Sequence, residues 1–109
     1  MKPTSILKAA ALLLLCTISI SSQWFQQVSG TAVNLHSINF NHGNENIAWA
    51  CGDNGVILHT TNGGVNWVQQ VSGTTNDLYA ICFMETSGAP IMAVGEGGTI
   101  LRTTNNGTN

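Results

Sequence analysis

Charge is what this 109-residue chain has least of: only 7% of its residues are Asp, Glu, Lys or Arg, where an ordinary soluble domain carries about a quarter. Three basic residues face five acidic ones, for a formal net charge of −2. No basic patch can be assembled from that inventory, which excludes nucleic-acid binding by phosphate neutralisation. Helical periodicity is missing as well. Beyond the first 22 residues, Gly, Asn and Thr interrupt every window in which apolar residues would have to recur at three- or four-residue spacing. Cysteine is scarce, with three residues and no CxxC pair, so a dithiol redox motif is excluded. What remains is a 43% hydrophobic chain with 12 glycines and many Asn and Thr, the residues of tight turns and strands. That mixture predicts an all-β protein, and its apolar content argues against disorder.

The N-terminus reads as an address. Lys2 and Lys8 precede the apolar run from Ala9 through Cys16, which continues to Ile18 and Ile20 before the small residues Ser21 and Ser22. A cationic start, a short apolar stretch and small residues describe a secretory signal peptide. The run falls short of the ~20 residues that a membrane-spanning helix needs. Leu15 before Cys16 is too large for a lipoprotein signal. The expected division is therefore 1–22 signal peptide and 23–109 repeat region. Removal of the leader leaves 87 residues with Arg102 as the one Lys or Arg. Cys51 and Cys82 also remain, either as an exported disulfide or as two free, buried thiols.

A 43-residue repeat organises this second region. The segment WFQQVSGT at 24–31 returns as WVQQVSGT at 67–74, and ILHTTNGG at 57–64 returns as ILRTTNNG at 100–107. Aligning 24–66 with 67–109 without a gap gives 20 identities in 43 positions, which establishes duplication of one structural unit. Four short strands fill a unit of about this length in propeller blades. The pattern predicts strands over 35–40, 47–51, 56–60 and 65–72. Gly52-Asp53-Asn54-Gly55 forms a tight turn because Asn-Gly readily adopts positive φ. The fold expected is thus two tandem four-stranded antiparallel blades of a partial β-propeller, with an additional fourth strand over 24–29.

The residues offer little chemistry. His36, His42 and His59 lack zinc-ligand spacing. Asp53-Asn54-Gly55 lacks the acidic ladder and final Glu of a calcium loop. Gly95-Glu96-Gly97-Gly98 has neither a following helix nor the lysine of a phosphate loop. No Ser, His and Asp form a nucleophilic set. No catalytic residue, metal ligand or cofactor is expected. Arg102 stands as the single candidate for contact with an acidic partner.

The turn Thr60-Thr61-Asn62-Gly63-Gly64-Val65-Asn66-Trp67 resembles the Asp-box of bacterial neuraminidase repeats. Thr60, Asn62, Gly64 and Trp67 fall on its diagnostic places, with Asn62 in place of the usual acid. Thr103, Asn105 and Gly107 repeat the pattern. An Asx side chain here can hold backbone amides two residues on. The whole unit, from its Trp through the Leu-x-x-Ile-x-Phe strand to the Ile-Leu-x-Thr-Thr-Asn turn, is similar to the repeat of the photosystem II stability and assembly factor family. That resemblance implies a non-enzymatic β-propeller exported to the thylakoid lumen, the periplasm or the extracellular space. It implies a protein partner of the photosystem or membrane-protein assembly-intermediate kind. The family's arginine-rich patch is reduced to Arg102, with His59 at the equivalent place in the first copy. The alternative is a piece of an extracellular carbohydrate-active, sialidase-like or adhesion protein that uses the same repeats. One Arg and one Tyr cannot supply a sialidase site.

Propellers usually have about 4–8 blades, and this chain supplies two. The expectation is therefore either a piece of a larger propeller or self-association of several copies to complete a ring.

Overall fold

The computed structural model describes residues 23–84 and 90–108. The leader expected over 1–22 lies outside them. Seven strands form: β1 (Leu35–Asn41), β2 (Asn44–Gly52), β3 (Ile57–Thr60), β4 (Val68–Gln70), β5 (Leu78–Phe83), β6 (Ile91–Gly95) and β7 (Ile100–Thr103). They make two antiparallel meanders, a four-stranded sheet in the order β1-β2-β3-β4 and a three-stranded sheet in the order β5-β6-β7. β5, β6 and β7 occupy the repeat positions of β1, β2 and β3, so the duplication read from the sequence is a duplication of blades.

Each blade turns its second corner through a three-residue 3₁₀ turn, 53–55 or 96–98. Asn54 (φ 59°) and Gly55 (φ 71°) lie in the left-handed region, as do Gly97 (φ 65°) and Gly98 (φ 77°). Asn and Gly are the residues that reach this region at least cost. The hairpin then closes through Val56 N–H donating to the Asp53 carbonyl at 3.2 Å.

The blades stack face against face, with β5 lying over β1 and β2. The seam is filled by Trp49 and Cys51 from the first blade and by Leu78, Ile81, Ile91 and Ala93 from the second, with Ile47, Ile57, Phe83 and Leu101 packed around them. Alternation along β2 puts Trp49 and Cys51 on this face and Ala50 on the other. There Ala50 joins Val56 and Leu58, under Val33 and Trp67, in a smaller cluster. Trp49, Leu78, Ile81 and Ile91 are large apolar groups buried in the seam, and complete burial of such a side chain contributes about 1.5–3 kcal/mol. The seam is the main source of cohesion between the two sheets.

Three expectations change. Residues 24–29 belong to neither sheet. In the first blade the corresponding segment pairs with β3, whereas among the described residues no strand precedes 24–29. The fourth strand expected over 65–72 contracts to Val68–Gln70, because Val65 and Asn66 are drawn into the preceding turn. Cys51 and Cys82 are both free thiols, and only Cys51 is buried; Cys82 is exposed. Cys82 stands on the face of the second blade against which no other described sheet packs.

Candidate functional site

The Thr-x-Asn-x-Gly turns place their polar side chains inward, as backbone locks. Thr60 Oγ1 accepts hydrogen bonds from the Asn62 and Gly64 amides at 3.3 and 3.0 Å, and its hydroxyl donates to Asn62 Oδ1 at 2.9 Å. Asn62 Oδ1 then accepts from the Asn66 amide at 2.9 Å. The second turn repeats the arrangement. Thr103 Oγ1 accepts from Asn105 and Gly107 N–H at 3.3 and 3.0 Å and donates to Asn105 Oδ1 at 2.7 Å. Thr60 is almost fully buried, at 2% exposure, so its hydroxyl could not be removed without stranding the Gly64 amide. Trp67 follows the first turn and packs against the cluster of Ala50, Val56 and Leu58.

A second set of contacts carries these turns across the gap between blades, and the motifs did not reveal it. Gln70, at the end of β4, donates from Nε2 to the Asn106 carbonyl at 2.7 Å. Gln27, 43 residues earlier, donates in the same way to the Gly63 carbonyl at 3.3 Å. Its amide lies so close over Gly64 that a side chain there would collide with it. Asp77 accepts from the Asn54 amide at 2.9 Å, and Ser37 Oγ accepts from the Ile81 amide at 3.2 Å. The signal for the glutamines was present in the sequence, since Gln-Gln recurs identically at 26–27 and 69–70.

Trp49 anchors the seam between two parallel rings. His59 stacks on it at 4.7 Å with an 11° tilt, and Phe83 of the other blade lies at 5.5 Å with a 9° tilt. Burial pulls the His59 imidazole below its ordinary value, keeping it neutral within this apolar stack. Burial pushes the Cys51 thiol up to about 11. Both shifts disfavour the charged form, as expected of structural rather than reactive groups.

Arg102 is exposed on β7, beside a recess in the seam whose walls include Trp49, Gln70 and Leu101. His36 reaches Asp53 at 2.6 Å, while His59 is held on Trp49, so these two histidines are directed to separate places. Among the described residues no three of His, Cys, Asp and Glu gather as a metal site would require. No described helix is long and apolar enough to cross a membrane. The geometry presents a rigid pair of sheets with Asn- and Thr-rich turns along its rims.

A family model described as photosynthesis system II assembly factor YCF48 matches residues 6–109. Among solved structures, YCF48 from Cyanidioschyzon merolae superimposes with a TM-score of 0.69 at 25% identity, covering 81% of this chain. The aligned part is 26% of that structure's length. No curated protein matches the sequence.

Proposed function

Because the chain belongs to the YCF48 family of photosystem II assembly factors, we propose that it is an exported, non-enzymatic binding scaffold that holds a membrane-protein assembly intermediate of photosystem II. The observation that supports this reading most directly is the seam. Two blades locked by Trp49, Phe83, Ile81 and Gln70 hold their rims fixed relative to one another. A rigid framework that displays turns is what a binding surface on a repeat protein requires. Export follows from the leader read over 1–22. In this reading Arg102, exposed on β7, is the basic contact for an acidic segment of the partner.

The test is co-isolation of the tagged chain with newly made photosystem II reaction-centre polypeptides after cross-linking of intact membranes. Specific capture that Arg102→Glu weakens several-fold supports the reading. Equal recovery of unrelated membrane proteins, or no recovery of the reaction-centre polypeptides, rejects it.

A further inference from the structure

Among the described residues three buried side-chain atoms have no hydrogen-bond partner: Asn39 Oδ1, Trp49 Nε1 and His59 Nε2. Buried polar groups are normally paired, so each of these atoms calls for one. They are not scattered through the fold. Asn39 on β1 stands opposite Trp49 on β2, and Trp49 stands opposite His59 on β3. Residues directly opposite in an antiparallel ladder share a face, with Cβ atoms about 4.5–5.5 Å apart. The three side chains therefore form one row across the first sheet, on the seam face to which Trp49 belongs. Trp49 is 2% exposed, and its parallel contacts with His59 and Phe83 use the flat faces of the ring. Stacking leaves the indole N–H, which points from the ring edge, without an acceptor.

The role of each atom follows from its neighbours. Gln70 Nε2 lies 3.5 Å from His59 Nδ1 and gives its other hydrogen to the Asn106 carbonyl. An amide N–H can only donate, so Nδ1 is the acceptor. The imidazole is neutral through burial and consequently carries its proton on Nε2. The row then holds two donors, Trp49 Nε1–H and His59 Nε2–H, and one acceptor, Asn39 Oδ1. A cation would face two N–H groups and an anion would face a carbonyl oxygen. A water molecule suits all three, because it accepts twice and donates, making the roughly three hydrogen bonds typical of an internal water.

We propose that one internal water is bound in the seam by this row, accepting from Trp49 Nε1–H and His59 Nε2–H and donating to Asn39 Oδ1. It ties β1, β2 and β3 together beneath the second blade and fixes the edge of the Trp49 ring whose faces are already held. The site is peculiar to the first copy of the repeat. Its counterparts 43 residues on are Cys82, Met92 and Arg102, which stand in the same register across β5, β6 and β7 and include no amide or carboxylate acceptor. The duplication has therefore kept the strands and changed the polar row, so that the two blades are not interchangeable at the seam. The inference is independent of the binding role.

The test is nuclear magnetic resonance of the full isotope-labelled chain, with the Trp49 indole signal assigned by Trp49→Phe. Water-selective NOE and ROE spectra should show a contact of opposite sign at the Trp49 indole proton, the mark of a long-lived water. That proton should also exchange with solvent about tenfold or more slower than the indole of the exposed Trp24. Long-range nitrogen spectra should place the His59 proton on Nε2. Water relaxation dispersion should lose one long-lived water in Asn39→Leu. Trp49→Phe, which keeps a stacked ring without the N–H, supplies the same comparison should Asn39→Leu unfold. No water contact at the Trp49 indole, an indole exchanging as fast as that of Trp24, a His59 proton on Nδ1, or a dispersion amplitude that the folded variant leaves unchanged overturns the proposal.

Discussion

Replacing Gly55 and Gly98 by alanine, one at a time, separates the cost of backbone strain from the cost of breaking the blade seam. The two glycines hold the same repeat position and nearly the same conformation, φ 71° and 77°. A non-glycine residue in this left-handed region costs about 1–2 kcal/mol, and that cost is common to both variants. The entropy removed from the unfolded chain by Gly→Ala is also common to both. Only at Gly55 does the new methyl meet the Thr74 carbonyl, while the space at Gly98 is empty. Relieving that collision requires the loop at 74 to retreat from the first blade, an overpacking cost of about 1–3 kcal/mol. Gly98→Ala should therefore cost about 1–2 kcal/mol and Gly55→Ala about 2–5 kcal/mol. Urea midpoints and calorimetric scans read the difference. At about 4–8 °C per kcal/mol for a domain of this size, the Gly55 variant should melt visibly earlier than the Gly98 variant. Equal losses would mean that the loop at 74 does not rest on this turn in solution, and the described seam would be wrong.

Other consequences are independent of that pair. Thr60→Val strands the buried Gly64 amide and should cost about 1–3 kcal/mol, measured as a fall in urea midpoint. Trp49→Ala empties the ring stack at the seam and should cost about 3–5 kcal/mol, with loss of near-ultraviolet dichroism. The Cys51 thiol is raised from 9.0 to about 11 in the folded chain, so the unfolded chain releases its proton first as pH rises. Stability is then complete below pH 9 and falls by about 2–3 kcal/mol as pH climbs through 11, and Cys51→Ala should abolish this limb in urea titrations. His59 is shifted the other way, below 6.5, by burial. Its contribution is present above that value and is lost as pH falls below it, because the unfolded chain takes up the proton first; His59→Gln should flatten the acid limb.

What could be read from the sequence was what depends on near neighbours. Thr60, Asn62, Gly64 and Asn66 bond one another within four residues, so their turn is written in a short motif. The strands of each blade succeed one another through short turns, and their alternation of large and small residues marks them. Contacts across the seam follow a different logic. Gln70 with Asn106 and Ser37 with Ile81 join residues 36 and 44 positions apart, and although Gln-Gln recurs at 26–27 and 69–70, the recurrence does not say which turn the side chain meets. The same limit explains the misplaced strand. Residues 24–29 and 67–72 differ only at Phe25 and Val68, yet the second segment pairs and the first does not. A strand is a relation between two chains of backbone, and β3 lies beside one segment only. It also explains the thiols. Cys51 is buried because a second blade follows the first, while Cys82 is exposed because the outward face of the second blade is uncovered. In a repeat protein, then, a residue's pattern fixes the face on which it stands, and its burial is decided by which blade comes next. For that reason Ile38 and Ile81, one position of one repeat, differ tenfold in exposure and call for opposite treatment in any mutational test.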